Sequence, residues 1–267
     1  MNIPDFKLFD AHFHIIDPRF PLVPNRGYVP DRYTIQDYLE RTKAYRLCGG
    51  AIVSASFQAF DQDYLVDALA HLGSNFTGVT QLPHTVTDEE IQELHLAGVR
   101  AIRFNLKRGG SEGVEHLDEM ARRVYELAGW HVELYVDSQE LKDLAPVLSG
   151  LPAISIDHLG LSREGFPDLL KLVEKGARVK ATGFGRGNLN AKQALNDIYQ
   201  ANPAALMFGT DLPSPRANRP YSDSDFLLVI QTLGEQGARR VFHDNAVEFY
   251  GSPFQFAGEQ HQRAGSH

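Results

Sequence analysis

The chain has 267 residues, of which 43% are hydrophobic and 22% are charged, and its formal net charge is −8. This length suits one large domain or two small ones, and the composition is ordinary for a soluble globular protein with a substantial core. The acidic balance argues against a nucleic acid or an anionic membrane as partner, because both select clustered Lys and Arg. A small-molecule ligand stays open, since a cationic pocket can form inside an acidic protein.

The N-terminus lacks the basic segment followed by an apolar segment that marks a signal peptide, and the sequence has no apolar run of about 18 residues. We therefore expect a cytoplasmic protein. Cys48 is the only cysteine, which excludes an intramolecular disulfide. We expect it to be a buried, unreactive thiol.

Eight short apolar runs recur along the chain, separated by longer segments with helical spacing. Several runs are rich in β-branched or aromatic residues and too short for helices, as expected of strands buried on both faces. The predicted strands cover residues 8–14, 51–56, 76–82, 99–106, 131–136, 153–158, 179–183 and 206–211.

The segments between the strands carry helix signals. A Thr or Ser followed three residues later by an acidic residue predicts a capping box. Pro suits a first helical turn, and Gly suits a C-terminal stop. The predicted starts are Thr34, Thr87, Ser138, Pro167 and Ser222, and the predicted stops are Gly98, Gly150 and Gly176.

Alternating strands and helices without a Gly/Ser-rich linker indicate a parallel α/β architecture in one domain, residues 1–267. Eight units close naturally into a (β/α)8 TIM barrel, whereas five or six would form an open doubly wound sheet, the structural alternative. The Pro-rich loop 18–33 after the first strand is predicted to be extended, either as a lid over the site or as a rigid surface loop. From about residue 252 the chain is predicted to be a polar tail.

In a TIM barrel the active site lies at the C-terminal ends of the strands. His12 and His14 end the first predicted strand and, being two residues apart, project from the same face. Two imidazoles are costly to bury without polar partners, so this pair predicts a functional site.

Two further polar residues end predicted strands. Asp211 closes the eighth run shortly before a proline, and His158 closes the sixth. Alone, each could equally be structural, as a turn residue and a core histidine. Because the first and eighth strands are neighbours in a closed barrel, we expect Asp211 beside His12 and His14, as the leading general base.

These residues belong to a series of motifs that resembles the amidohydrolase superfamily, and within it the branch containing 2-pyrone-4,6-dicarboxylate hydrolase and sugar lactonases. The motifs are His-x-His at 12–14, Gly-x-Arg-x-Ile-Arg-Phe-Asn at 98–105, Asp-His-x-Gly at 157–160, Gly-Thr-Asp-x-Pro at 209–213 and the closing segment 244–251. They occur in order, so the resemblance covers nearly the whole chain.

The resemblance implies hydrolysis of a cyclic ester, a lactone. Asp211 would take a proton from the attacking water, while His12, His14 and His158 would polarise the carbonyl or hold the tetrahedral intermediate. An imidazole in its protonated form could also assist the leaving oxygen.

The candidate substrate-binding residues are four arginines and a tyrosine. Arg103 lies inside the fourth apolar run, where an unpaired guanidinium is costly, so an anionic substrate or a buried carboxylate partner is implied. Arg186 follows the seventh run, and Arg108 and Arg216 are weaker candidates on other loops; each of the three could instead be a solvated charge. Tyr135 could donate its hydroxyl to the substrate or simply be packed. This number of arginines favours an acidic lactone such as 2-pyrone-4,6-dicarboxylate over a sugar aldonolactone.

Members of the superfamily often bind one or two divalent metal ions. Here the fourth and fifth predicted strands end without the ligands of a binuclear site, and the branch that the chain resembles is understood to work without metal. We therefore favour a metal-free reaction with no cofactor. A single zinc ion, if bound, would be held by His12, His14, Asp211 and His158.

Two other functions stay open. A zinc-dependent decarboxylase of an aromatic or muconate-type acid would use the same histidine pair and aspartate, whereas a non-catalytic barrel would use the polar groups for recognition. No Gly-rich phosphate-binding motif follows a strand, which disfavours nucleotide enzymes. The sequence leaves a homo-oligomer open.

Overall fold

The computed structural model describes residues 4–251. Within them, eight parallel strands form one sheet whose spatial order, β1 to β8, is the order along the chain. Helices connect successive strands, as parallel pairing requires. The strands are β1 Lys7–Phe13, β2 Arg46–Val53, β3 Phe76–Thr80, β4 Val99–Phe104, β5 His131–Leu134, β6 Ile154–Ile156, β7 Arg178–Ala181 and β8 Leu206–Phe208.

The sheet closes where the chain leaving β8 meets β1. The Asp211 amide donates to the His12 carbonyl over 2.7 Å, and the His14 amide donates to the Leu212 carbonyl over 2.8 Å. Gly209 permits this approach, because a Cβ there would lie 2.7 Å from the His12 Cβ. The chain is therefore a single-domain (β/α)8 barrel, as predicted, and the alternative of an open doubly wound sheet was wrong.

Asp10 ties the same two segments together. Its carboxylate accepts hydrogen bonds from the Thr210 amide at 2.8 Å, the Thr210 hydroxyl at 2.7 Å and the Tyr38 hydroxyl at 3.1 Å. Burial nevertheless raises the pKa of Asp10 to about 6, because loss of water disfavours the charged form. Asp10 thus joins β1 to the chain after β8 at an electrostatic cost.

Nine α-helices are present between residues 4 and 251, and Thr34, Thr87 and Ser222 form the predicted capping boxes. Pro167 lies in the first turn of α6, as predicted. Asp137, rather than Ser138, caps the short 3₁₀ turn that precedes α5. The helices are α1 Ile35–Thr42, α2 Asp63–Leu72, α3 Asp88–Leu96, α4 Leu117–Ala128, α5 Leu141–Leu148, α6 Phe166–Glu174, α7 Ala191–Ala201, α8 Asp223–Arg239 and α9 Asn245–Tyr250, with a π-helical segment, Arg240–Asp244, between the last two.

The main core lies between the barrel and the surrounding helices. Phe226 of α8 and Phe242 of the π-helical segment stack with their ring centroids 4.0 Å apart. Phe208 of β8 meets the Phe242 ring edge-on at 5.1 Å. Burial of each such ring contributes about 1.5–3 kcal/mol. This packing anchors β8, from whose end Asp211 projects.

All eight predicted strands are found in place, but several end earlier than predicted. His14, His158 and Asp211 lie one, two and three residues beyond β1, β6 and β8. The second strand, β2, begins at Arg46, before its predicted start at residue 51, and therefore includes Cys48. Cys48 is only half-buried, so the prediction of a buried thiol was wrong.

The Pro-rich loop 18–33 follows β1 and has no helix or strand. Antiparallel bridges join Ile16 to Tyr33 at its base and Asn25 to Tyr28 at its centre. The predicted polar tail from about residue 252 lies outside the described residues. Between residues 4 and 251, no helix is long and apolar enough to cross a membrane.

Candidate active site

The four predicted catalytic side chains meet at the C-terminal mouth of the barrel. His14 Nε2 and His12 Nε2 lie 3.5 and 3.9 Å from the same Asp211 oxygen, Oδ1. The His12 ring centroid lies 5.0 Å from that of His14 and 4.9 Å from that of His158. All four side chains are buried. Three imidazoles and one carboxylate from three distant segments thus share one pocket.

Two of these residues have a backbone conformation that is rare outside glycine. The φ angles are 52° at His158 and 59° at Asp211, in the left-handed region. Holding a non-glycine residue there costs of order 1–3 kcal/mol, and such strain concentrates at functional sites. Gly183 leaves room beside one of them, because a Cβ there would lie 2.5 Å from His158 Nδ1. These turns aim both side chains into the mouth.

Asp211 is ionised despite its burial. Burial alone would raise the pKa of Asp211, but the positive charge of Arg186 holds it well below its usual range. Arg186 Nε donates to Asp211 Oδ2 over 2.6 Å. The pocket therefore contains an ionised carboxylate, with one of its oxygens engaged by a guanidinium.

Two of the imidazoles beside it, those of His12 and His158, are held neutral. Burial, followed by the nearby charge of Lys180, lowers the pKa of His12 well below its ordinary value. Burial also lowers the pKa of His158. His14 Nδ1 lies 2.7 Å from the Val53 carbonyl, which can only accept, so Nδ1 carries a proton and Nε2 faces Asp211.

Several buried polar atoms around this pocket have no hydrogen-bond partner among the described residues. They are both ring nitrogens of His12, Nδ1 of His158, Oδ1 of Asp157 and Oδ1 of Asp211. Buried polar atoms are normally satisfied, because leaving one unpaired costs about 1–3 kcal/mol. Such a concentration at one point indicates a site that binds a polar ligand.

Arg103 has a carboxylate partner within the protein. Its Nη2 donates to Asp157 Oδ2 and its Nη1 to the Ser54 carbonyl, each over 2.7 Å. Asp157 Oδ1 in turn lies 3.5 Å from His12 Nδ1. The guanidinium carbon also lies 5.4 Å from the Tyr135 ring centroid. Of the two partners that the sequence left open for Arg103, the structure contains the buried carboxylate.

A second ionic cluster fills the barrel interior below these groups. The Lys180 ammonium and the Tyr250 hydroxyl both donate to Glu133, and His131 Nε2 lies 3.1 Å from Glu133 Oε1. Burial would raise the pKa of Glu133, but Lys180 lowers it to about 2. Glu133 therefore partly neutralises the positive charge that Lys180 exerts on the pocket.

Our sequence reasoning missed Asp157, Glu133 and Lys180. Each is a charged residue within or directly after an apolar strand, the signal that singled out Arg103. Asp157 directly precedes His158, and the end of that strand predicts the histidine instead. Glu133 and Lys180 lie inside runs that are otherwise rich in apolar residues.

A narrow cleft with a cavity volume of about 30 Å³ opens above the three imidazoles and Asp211. This is about the volume of one water molecule, so rim side chains must move to admit a ring-sized ligand. Two larger cavities, of about 410 and 500 Å³, lie away from these groups, at the N-terminal face and between α2 and α3. The lining of the narrow cleft includes His14, His158 and all five predicted substrate-binding residues, Arg103, Arg108, Tyr135, Arg186 and Arg216.

The Pro-rich loop 18–33 is attached to this cleft through Asn25. Arg216 Nη1 donates to Asn25 Oδ1 over 2.8 Å, and Asn25 Nδ2 donates to the Arg108 carbonyl over 3.2 Å. The Arg216 guanidinium carbon lies 4.2 Å from the Tyr28 ring centroid. The loop therefore lies against the two outermost arginines of the cleft.

The pocket has ligand atoms suited to one divalent metal ion. His12, His158 and Asp211 each offer an atom within 4.8 Å of the others, and two imidazoles with a carboxylate form a common zinc ligand set. His14 Nε2, which lies 3.5 Å from Asp211 Oδ1, could supply a fourth ligand. The residues therefore fit a mononuclear ion in number and chemical type.

Comparison with known proteins agrees with this geometry. The chain is 29% identical to the 2-pyrone-4,6-dicarboxylate hydrolase of Comamonas testosteroni over 92% of each chain. It is 27% identical to the 4-sulfomuconolactone hydrolase of Rhizobium radiobacter over 91% of this chain and 89% of the relative. A candidate 2-pyrone-4,6-dicarboxylic acid hydrolase of Pseudomonas putida has the same fold, with a TM-score of 0.76 and 27% identity, over 94% of this chain and 99% of that one.

The family model for amidohydrolases matches residues 9–252, which include every group of the pocket described above. The closed barrel and the histidine pair at the end of β1 are consistent with that match. The chain belongs to the amidohydrolase family.

Proposed function

We propose that this amidohydrolase opens an anionic lactone, with 2-pyrone-4,6-dicarboxylate as the leading candidate. The chain is a hydrolase by family, and two of its relatives are named for hydrolysis of lactones or pyrones. One observation carries the substrate class: four arginines line a single small cleft, whose lining among the described residues includes no Asp or Glu. In a chain of net charge −8, this is a strong local concentration of positive charge.

Two of these arginines have no carboxylate partner among the described residues. Arg103 is paired with Asp157, and Arg186 is paired with Asp211. The ion pairs of residues 4–251 include neither Arg108 nor Arg216. Two guanidiniums without carboxylate partners match a substrate with two carboxylates, because Arg binds carboxylate with paired hydrogen bonds.

In the proposed reaction, Asp211 takes a proton from water as the water oxygen attacks the lactone carbonyl. The neutral imidazoles of His12 and His158 surround the carbonyl, and an N–H donor there stabilises the oxyanion. The ring C–O bond then breaks, and protonated Asp211 returns its proton to the leaving oxygen. Asp211 is thereby restored, and the product is a carboxylic acid bearing the released hydroxyl or enol.

Arg186 has a second role in this proposal. Its contact with Asp211 keeps the base ionised, and its position in the cleft lets it turn toward an anionic substrate. The small cleft volume supports such a movement, since a lactone ring needs more space than about 30 Å³. Substrate binding would then release the second oxygen of Asp211.

We propose that the reaction needs no metal ion, although the pocket fits one. The guanidiniums of Arg103 and Arg186 and the ammonium of Lys180 already lie close to the imidazoles and Asp211. Arg186 already donates to Asp211, so a divalent ion would have to compete with a guanidinium for its carboxylate ligand. When bound, a divalent ion held by His12, His158 and Asp211 would polarise a carbonyl or lower the pKa of water.

A lactone panel tests this function. Purified protein would be assayed with 2-pyrone-4,6-dicarboxylate, its neutral diester and a sugar aldonolactone, each with added zinc and after chelation. We expect hydrolysis of the dicarboxylate, little turnover of the neutral diester, and no loss of activity on chelation. Turnover of the aldonolactone alone would contradict the acidic-lactone assignment, and release of CO₂ only with zinc would indicate the decarboxylase.

Asp211→Asn tests the role of the base. General-base catalysis contributes about 10²- to 10⁴-fold, so we expect kcat to fall by that factor while a product carboxylate still binds. Asp223→Asn, which changes a carboxylate outside the pocket, serves as the matched control. Unchanged turnover in Asp211→Asn would overturn the mechanism.

A further inference from the structure

A second group of ligand-type side chains lies at the rim of the barrel mouth, outside the cleft. His84 lies on the loop after β3, Glu112 lies on the loop after β4, and His116 ends the 3₁₀ turn Val114–His116 of that same connection. Each residue offers one nitrogen or carboxylate oxygen within 4.8 Å of the others. None of the three lines the catalytic cleft. The group therefore needs an explanation independent of lactone hydrolysis.

Glu112 is held between the two histidines. The His84 amide donates to Glu112 Oε1 over 2.9 Å, and His84 Nδ1 lies 3.1 Å from the same oxygen. His116 Nε2 lies 3.8 Å from the other oxygen, Oε2. The Glu112 side chain is 16% exposed, so both of its oxygens are largely withdrawn from water while facing imidazoles.

The two loops are also joined independently of these side chains. Gln81 Nε2, at the end of the strand before His84, donates to the Gly110 carbonyl over 3.1 Å. Within the loop after β4, the Ser111 hydroxyl donates to the Glu112 carbonyl over 3.1 Å. The backbone that presents the three ligand-type groups is therefore held in place without an ion.

We propose that His84, Glu112 and His116 form a divalent metal site, selective for zinc-like ions, on the rim of the barrel. Two imidazole nitrogens and one carboxylate oxygen suit zinc and neighbouring transition metals better than calcium or magnesium, which prefer all-oxygen sites. Water would complete the coordination, because the site faces solvent.

The present arrangement needs one rotation to close around an ion. The His84 and His116 rings are stacked, with centroids 4.2 Å apart and planes 3° from parallel. The lone pair of an imidazole nitrogen lies in the plane of its ring. Two stacked, parallel rings therefore cannot both direct a lone pair at one ion. The His84 side chain is 51% exposed, so its ring can rotate until its nitrogen lone pair points at an ion shared with Glu112 and His116.

Such an ion would act on the cleft through the loop after β4. That loop also carries Arg108, which lines the cleft and whose carbonyl accepts from Asn25. An ion bound by Glu112 and His116 would fix the loop to His84 on the neighbouring loop. Zinc at the rim should therefore alter the affinity for an anionic ligand more than the rate of the chemical step.

Titration with zinc chloride tests the proposal in the full chain, with calorimetry for stoichiometry and Co²⁺ absorption for imidazole ligation. His84→Ala and Glu112→Gln should each weaken rim binding by about ten-fold or more, since loss of even an outer partner of a metal ligand costs that much. His71→Ala, at an exposed histidine on α2, is the matched control and should leave binding unchanged. Circular dichroism of each variant checks that it is folded.

Asp211→Asn separates this site from the central pocket. Zinc binding that is retained in Asp211→Asn but lost in His84→Ala and Glu112→Gln supports the rim site. A zinc ion lost only in Asp211→Asn, or retained in both rim variants, overturns it, as does an absence of zinc binding by the parent protein. Because binding is measured directly, failure of lactone hydrolysis would not affect the result.

Discussion

In the proposed mechanism, the contact between Arg186 and Asp211 sets both the protonation state of the base and the number of its oxygens that are free to react. The 2.6 Å contact keeps the carboxylate charged in a buried pocket but also occupies one of its oxygens. An anionic substrate can compete for the guanidinium, whereas a neutral lactone cannot. Discrimination by charge would then occur at the base itself as well as at Arg108 and Arg216.

Arg186→Met should move the acid limb of the kcat/KM profile to higher pH. Arg186 holds the pKa of Asp211 well below its ordinary value, and burial would raise it once that charge is removed. Because Asp211 acts in its ionised form in the proposed mechanism, activity would then be lost at a higher pH than in the parent protein. An acid limb at the parent position would contradict this electrostatic role.

The same variant should also bind an anionic lactone more weakly. A hydrogen bond to a charged group contributes about 1.5–3 kcal/mol, or about a 10- to 100-fold rise in KM. Arg122→Met, which removes the partner of Asp118 on the exposed face of α4, is the matched control and should leave both KM and the pH profile unchanged.

Some side-chain positions followed from the sequence and others did not. The pairing of His12 with His14 on one face followed from the two-residue period of a strand. The left-handed turn that aims His158 did not, because no glycine marks it. The contact between Asp211 and Arg186 also could not be predicted, since it depends on the path of a loop between β7 and α7.

At the scale of elements, the join between β1 and the chain after β8 holds the site together. The two backbone hydrogen bonds there involve His12, His14 and Asp211 themselves. The predicted strands extend too far at this end because apolar residues and their two-residue alternation continue past the last residue that is paired in the sheet. Only the hydrogen-bond pattern distinguishes the last paired residue from the first residue of the turn.

Gly209→Ala should open this join. A Cβ would lie 2.7 Å from both the Cβ and the backbone nitrogen of His12, so β8 must move away from β1. We expect a loss of about 1–3 kcal/mol in unfolding free energy, as for overpacked sites, together with a marked fall in kcat. Thermal denaturation and steady-state kinetics measure the two effects.

Gly150→Ala is the control for this substitution. There a Cβ would meet only the Arg122 side chain, at 3.5 Å, and the Val147 carbonyl, at 3.6 Å. Its stability should be unchanged or slightly raised, by about 0.4–1 kcal/mol. Equal behaviour of the two variants would show that the close approach at Gly209 is unimportant.

At the scale of the whole molecule, the charges buried around the site occur as ion pairs. Arg103, Arg186 and Lys180 are buried around the site and are matched by Asp157, Asp211 and Glu133. The closed barrel could be predicted from the sequence because eight alternating units leave few other solutions. The internal pairing could not, because composition reports only the total charge.

Asp10→Asn should change how global stability depends on pH. The pKa of folded Asp10 is raised from 3.8 to about 6, so its favourable contribution is complete below pH 3.8 and is lost as pH rises through 6. Relative to Asp10→Asn, the parent protein should lose up to about 3 kcal/mol of unfolding free energy between pH 4 and pH 7.

Trp130 provides the measurement. It is the only tryptophan and is fully buried, so its fluorescence in urea reports unfolding of the whole barrel. Unfolding curves of the two proteins would be compared at each pH. A constant difference in stability across this range would show that Asp10 does not titrate in the folded protein.

The join at β1 and β8 also bears on how the family can diversify. A short stretch of chain both completes the backbone pairing of the fold and presents the reactive carboxylate, so replacements there would be penalised twice. Selection for a new substrate, natural or in the laboratory, should therefore accumulate changes in the rim segments that carry Arg108, Arg186 and Arg216 and leave residues 209–212 untouched.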